Sequence, residues 1–181
     1  MTSVSELSGN YTIDPAHTTL AFVARHAMIT KVRGTLAASG EATLDGSNPD
    51  ASHITVRADV ATVNTGQDGR DEHLRSADFF EVDKHPEIVF QSTAVKVVAD
   101  DEIEVTGDLQ IRDEVRQITI PLEYTGSVVD PFGQTRAGFE GQMDVKRSDF
   151  GLTWNAALEA GGVLVSDKIR LEFDVALIKD A

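Results

Sequence analysis

The sequence predicts an all-β fold, an eight-stranded antiparallel barrel with one helix between its third and fourth strands, and three observations predict it. Apolar residues recur with a period of two through most of the chain, the spacing of one face of a strand rather than of a helix. Turn-forming clusters separate the alternating stretches at Asp45-Gly46-Ser47-Asn48-Pro49, Ala99-Asp100-Asp101, Arg112-Asp113-Glu114 and Asp130-Pro131-Phe132-Gly133. Connections this short make consecutive strands antiparallel neighbours. Several stretches run to about ten residues, roughly 33 Å at ~3.3 Å per residue and well beyond an ordinary strand. A tall closed barrel accommodates them and removes the edges that an open sheet of eight would expose.

Residues 1–10 read as an N-terminal tail and 11–181 as a single domain. The tail has Glu6 as its one charge and Val4 and Leu7 as its aliphatics, which is not the pattern of a secretory leader. The first strand shows Leu20, Phe22, Ala24 and His26 on one face. The second shows Val32, Gly34, Leu36 and Ala38, with Ala42 and Leu44 beyond Gly40, and the third Ile54, Val56, Ala58 and Val60. The rhythm then breaks. Residues 67–80 carry Asp68, Asp71 and Glu72 early, Arg75 late and Leu74, Ala77, Phe79 and Phe80 as apolar positions, an arrangement that suits a helix and its dipole. His85-Pro86 ends it, because the residue before proline is driven to an extended conformation.

Alternation returns with Ile88, Phe90, Val95 and Val97, then with Ile103, Val105, Gly107, Leu109 and Ile111, and then with Ile118, Ile120, Leu122 and Tyr124. The seventh strand carries Ala137, Phe139, Gly141, Met143 and Val145, and the eighth Ile169, Leu171, Phe173, Val175 and Leu177. Residues 154–165, with Ala156, Ala157, Leu158 and then Gly161-Gly162, read as a mobile loop or a short helical turn between these two strands.

Composition excludes several functions. Sixteen basic against 30 acidic residues, 16 − 30, give a net charge of −14, a field expected to repel nucleic-acid phosphates and anionic membrane surfaces. No cysteine is present, so disulfides, thiolate metal sites and cysteine nucleophiles are out. No run of eighteen apolar residues exists to cross a bilayer as a helix. With no leader in view, the expected location is cytoplasmic.

The strand faces hold many small residues, among them Ala24, Gly34, Ala42, Ala58, Gly107 and Gly141, while bulk is concentrated in Phe22, Phe90, Phe139 and Phe173. Two readings stand. Small residues facing inward leave an apolar cavity along the axis, wide enough for one small ligand; alternatively the glycines mark bulges or close strand contacts.

Tyr11, Asp14 and His17, Phe22 and His26, Thr65-Gly66, Arg70-Asp71, His73-Leu74, Asp78-Phe79-Phe80, Pro86, Phe90, Ser92-Thr93, Gly107, Leu109, Ile111, Arg147, Asp149-Phe150-Gly151 and Ser166-Asp167 follow one another at a characteristic spacing. In these residues the chain resembles the YceI-like family of polyisoprenoid-binding proteins, from about Tyr11 to Leu177. The resemblance implies a lipocalin-like barrel with a helix across one opening, a long isoprenoid or related lipid inside it, often a homodimer, and no established catalysis or cofactor. Two departures stand out: many members carry a secretory signal, and the turn after Ile111 reads Arg112-Asp113-Glu114-Val115 where the family usually has a glycine followed by a small residue.

On this reading Leu20, Phe22, Ala24, Phe90, Phe139 and Phe173 line the cavity, and Leu74, Phe79 and Phe80 close over its mouth. Tyr11, His17 and His26 are the candidates for polar contacts to a lipid head group. Arg70 or Arg75 is a candidate partner for a pyrophosphate or quinone oxygen, against a structural role for Arg70 and Asp71 as an ion pair. The expected function is binding of a quinone-type or prenyl-pyrophosphate-type lipid for carriage or storage; the alternative is an enzyme using His17 or His26 as acid or base on an apolar substrate. Asp68, Asp71, His73 and His85 invite a metal, but Asp71 and His73 diverge by about 200° on a helix, so no metal site is expected. Asp149-Phe150-Gly151 reads as a strand end and turn, since no glycine-rich loop or catalytic Asp-Asn segment of a kinase accompanies it.

Overall fold

The structure, a computed structural model, describes residues 3–181. Its strands are β1 (Ser8–Ile13), β2 (Thr19–His26), β3 (Thr30–Asp45), β4 (His53–Asn64), β5 (Glu87–Ala99), β6 (Glu102–Ile111), β7 (Glu114–Val129), β8 (Thr135–Lys146) and β9 (Lys168–Lys179), with helix α1 (Asp68–Arg75) between β4 and β5. Every pairing is antiparallel, in the order β1-β3-β2-β9-β8-β7-β6-β5-β4, and a β3–β4 ladder closes the sheet on itself.

Nine strands make eight staves. β1 and β2 both lie between β3 and β9: Tyr11 pairs with Ala42 and Lys179, while Leu20 pairs with Leu36 and Phe173 further down the same groove. The eight-stave closed barrel is the predicted fold, and the helix sits between its third and fourth staves in sequence order. The short β1 escapes the period-two test because its Ser-Gly-Asn-Tyr-Thr-Ile sequence buries two side chains, Tyr11 and Ile13.

The barrel has an upper end, at the β1–β2 turn and the hairpins β3–β4, β5–β6 and β7–β8, and a lower end, at the β2–β3 hairpin, α1 and residues 147–167. Residues 3–10, read from sequence as a tail, belong to the upper end. Val4 and Leu7 are buried; the Val4 N–H donates to the Asp100 carbonyl at 2.9 Å, and the Gly46 N–H donates to the Leu7 carbonyl at 2.8 Å. The two aliphatics are too few to show a period, yet they stopper one opening.

The two readings of the small residues are both realised, at different positions. Ala24, Ala42 and Ala58 face inward and line an open interior. Gly34 and Gly107 instead mark close approaches: a Cβ at Gly34 would lie 2.2 Å from the ring of Phe22, its cross-strand partner, and one at Gly107 would lie 2.3 Å from the Gln91 carbonyl oxygen and 2.6 Å from the Phe90 ring. Gly126 accompanies the β7 bulge that follows Tyr124.

α1 is shorter than residues 67–80. It stops at Arg75 because the Ser76 hydroxyl donates to the His73 carbonyl at 2.6 Å, a local bond that competes with helix continuation. Residues 76–80 turn back, with the Phe80 N–H on the Leu74 carbonyl at 3.0 Å. Residues 154–165 hold no helix, and their one i→i+3 turn has the Gly161 N–H on the Leu158 carbonyl at 3.0 Å. They run out and back, with antiparallel bridges Ala157↔Val163 and His26↔Val165, and Gly161 and Gly162 supply the left-handed backbone at the bend. Among the described residues no helix is long and apolar enough to cross a membrane.

Candidate functional site: an apolar cavity inside the barrel

Alternation places one face of every stave inside, and the inner faces do not fill the axis. They enclose a cavity of ≈ 250 Å³. Leu20, Phe22 and Ala24 of β2, Phe90 of β5, Phe139 of β8 and Phe173 of β9 line it, as the strand parity predicts, and Leu74, Phe79 and Phe80 reach it from the helix and the turn after it. Between these stand aliphatics from the other staves, such as Val56, Val105 and Ile120. Arg147 is the buried charged residue of the lining; Glu41 of β3 turns its carboxylate outward to Arg57 at 3.4 Å.

Aromatic side chains pack against one another at the lower end. Phe80 meets Phe22 edge-on at 6.5 Å between ring centroids, and Phe79, His73 and Trp154 form a cluster with centroid distances of 4.6 to 5.5 Å. The His73 imidazole is held by Asp78 at 2.8 Å. Trp154 carries no period or motif that marks it in the sequence; its role depends on the path of the loop.

Tyr11, His17 and His26 stand outside the cavity lining. Tyr11 is buried above it, where β1 meets β3 and β9, and burial raises its hydroxyl pKa, with Tyr124 adding to the effect. His17 lies in the β1–β2 turn with its ring exposed and its Nδ1 2.7 Å from Asp14. His26 has the parity of Phe22 and Ala24, but it is the last residue of β2 and has passed the rim into solvent. Parity identifies a face, not the depth at which a residue sits.

Arg70 and Asp71 do not pair with each other; each holds Thr65. The Arg70 guanidinium donates to the Thr65 hydroxyl at 2.7 Å and carbonyl at 2.8 Å, while Asp71 accepts from the Thr65 N–H at 2.8 Å and hydroxyl at 2.5 Å. Arg70 is therefore committed to anchoring α1. Three of the four residues that invited a metal have separate partners: Asp71 on Thr65, His73 on Asp78, and His85 3.9 Å from Asp113.

The polar centre of the lower end is Arg147, in the 3₁₀ turn Arg147–Phe150 that Gly151 ends with a left-handed φ of 73°. The strand end and turn expected at Asp149-Phe150-Gly151 are thus present. Arg147 is buried, and its guanidinium donates to the carbonyls of Ser166 at 2.9 Å, Leu152 at 2.7 Å, Trp154 at 2.8 Å and Val165 at 3.3 Å. Burial lowers its pKa, and Asp167 opposes that effect. Four of its five N–H donors are used on carbonyls.

At the upper end Arg136 joins two carboxylates, Asp14 at 2.6 Å and Asp130 at 2.7 Å, tying the β1–β2 turn to the β7–β8 hairpin. The Arg136 hydrogen bond, helped by His17, holds the Asp14 carboxyl at a pKa of about 2.

Residues 11–177 match the family of the YceI-like domain. The chain is 40% identical over 114 residues to a UPF0312 protein of Ectopseudomonas mendocina, covering 63% of this chain and 60% of that protein. It thus spans about three-fifths of the length of this relative, and likewise of a UPF0312 protein of Azotobacter vinelandii. Protein YceI of Salmonella newport is 35% identical over 84% of this chain and 81% of its own. Among solved structures, BcnA of Burkholderia cenocepacia superposes with a TM-score of 0.79 at 20% identity, covering 91% of this chain and 98% of its own. A polyisoprenoid binding domain from Saccharophagus degradans superposes with a TM-score of 0.73 at 16% identity, over 94% and 98%.

Proposed function

The chain belongs to the YceI-like family, and from that membership and its hollow interior we propose that it binds a long-chain isoprenoid or related lipid inside the barrel, for carriage or storage and without catalysis. The observation that carries the reading is the cavity of ≈ 250 Å³ with an almost wholly apolar lining. It is close to the lower end of the ~300–1,000 Å³ that ligand pockets occupy, a volume that suits a single chain. At ~0.8 kcal/mol per buried methylene, each five-carbon isoprene unit contributes roughly 3 to 4 kcal/mol before ordering. The barrel shared with the polyisoprenoid binding domain of Saccharophagus degradans supports the same ligand class here.

The lining also favours one kind of head group. A pyrophosphate needs donors that are not already occupied, and Arg147 has given four bonds to backbone carbonyls. An uncharged head of quinone or prenol type fits better. The histidines of the enzymatic alternative, His17 and His26, lie outside the cavity, which favours binding over turnover.

The test is mass spectrometry of the organic extract of purified protein reconstituted with a length series of prenols and prenyl quinones. Ala42→Leu combined with Ala58→Leu, two buried residues whose Cβ atoms face the cavity, is expected to abolish retention while the melting temperature holds or rises. Equal retention by wild type and variant would refute binding in the interior.

A further inference from the structure

The lower rim carries an exposed apolar tip at the β2–β3 hairpin. Met28 and Ile29 are 61% and 76% exposed there. The turn is closed by the Ile29 N–H, which donates to the His26 carbonyl at 3.0 Å. Both of its central residues, Ala27 and Met28, have positive φ, 51° and 63°. Such a turn normally selects Asn-Gly, because a Cβ is strained in that conformation. Here the strained position displays a methionine to solvent, a pattern that points to function rather than to folding.

The neighbouring loop extends the same rim. The Ala27 N–H donates to the Leu164 carbonyl at 2.7 Å, His26 bridges to Val165, and Val163 is exposed. Ala24 and Val165 line the cavity, so the tip stands immediately outside its wall. Charge singles out this region too. In a chain of net charge −14, no Asp or Glu occurs between Asp14 and Glu41, while Arg25, Lys31 and Arg33 do. Arg33 pairs with Glu172 at 3.5 Å, leaving Arg25 and Lys31 to flank the tip; Glu159 is the one acid of residues 154–165.

We propose that this rim docks on a phospholipid bilayer: Met28 and Ile29, with Val163 beside them, enter the interface, Arg25 and Lys31 meet anionic head groups, and the prenyl chain passes between bilayer and cavity without crossing water. Apolar side chains bracketed by basic residues are the usual composition of an interfacial anchor. Exposure alone does not choose this end, since Phe132 on the β7–β8 hairpin is 88% exposed. That hairpin lies at the stoppered end, beside Asp130 and Asp14 on their shared Arg136. Val4 and Leu7 are buried at that end, and two carboxylates on one guanidinium leave it a charge that anionic lipid repels.

The inference rests on the lipid-binding reading, and the experiment separates the two. The intact protein is floated with vesicles of phosphatidylcholine and phosphatidylglycerol, and its uptake of a prenol is measured separately from a cyclodextrin complex. Wild type is expected to float. Met28→Asp with Ile29→Asp should lower the bound fraction ten-fold or more while leaving uptake from cyclodextrin and the melting temperature unchanged, and Phe132→Asp should float like wild type. Docking is refuted if the double variant floats as well as wild type, if Phe132→Asp abolishes flotation, or if light scattering shows that the double substitution breaks a dimer, which would assign the tip to a second copy of the chain. Wild type that takes up prenol from cyclodextrin but never floats refutes docking and leaves lipid binding standing; uptake from neither source refutes both.

Discussion

Arg147 shows what one buried cation can organise. Its guanidinium collects carbonyls from Leu152, Trp154, Val165 and Ser166, so both ends of the 154–165 excursion are held by one side chain. Arg147→Met would leave these oxygens without their donor, at ~1–3 kcal/mol for each that stays buried. Since some would rehydrate, urea unfolding should show a loss of about 3–5 kcal/mol, the range for breaking a buried charged contact. Arg147→Lys should recover little of this, because a single ammonium cannot reproduce the planar fork. A second residue-scale prediction concerns acid. The Asp14 carboxyl titrates at about 2 in the folded barrel against an ordinary 3.8, so the native state favours its charged form. That stability is complete above about pH 4 and is lost as pH falls through about 2. Asp14→Asn should flatten the dependence of melting temperature on pH in this window and lower the melting temperature at neutral pH, where Arg136 loses one of its two carboxylates. Of the candidate residues, the apolar ones were legible in sequence and the polar ones were not. Hydrophobic parity identifies Phe22 or Phe173 without knowledge of any partner, whereas His17 and Arg147 acquire their roles from Asp14 and from a distant loop.

At the level of elements, the β2–β3 pair explains how the barrel stays hollow beside a phenylalanine. Phe22 lies across Gly34, and with no Cβ beneath it the ring settles against the wall. Gly34→Ala should push the ring towards the axis, reduce the amount of bound prenol per barrel, and destabilise the fold by about 1–3 kcal/mol, the range for overpacking; quantitative extraction and thermal melting read the two effects together. The strands themselves were readable because alternation is repeated over many residues: the burial pattern of β6 follows its Ile103, Val105, Gly107, Leu109 and Ile111 series. Short or irregular elements were not. β1 has six residues with two buried, α1 ends a turn earlier than its composition suggests, and the 154–165 segment takes its shape from bonds to Arg147 and to the β2–β3 hairpin. In each case contacts distant in sequence outweigh a weak local preference.

For the whole molecule, the two ends of the barrel differ. The upper end is sealed by Val4, Leu7, Tyr11 and Tyr124 and clasped by Arg136; the lower end is assembled from a helix turn, an aromatic cluster and two loops around Arg147. This asymmetry is why the vesicle experiment contrasts Met28 and Ile29 with Phe132. The sequence by itself determined that the chain is all-β, antiparallel and closed, and which face of each stave is apolar, because alternation with short turns is a local property written residue by residue. Only the tertiary structure decided that the interior stays open, that the first residues stopper one end, and that Tyr11, His17 and His26 lie away from the cavity. Depth along a barrel axis and the volume left between staves depend on stagger and on pairs of residues far apart in the chain, such as Phe22 with Gly34 or Arg147 with Ser166, and no periodicity along a single strand encodes them.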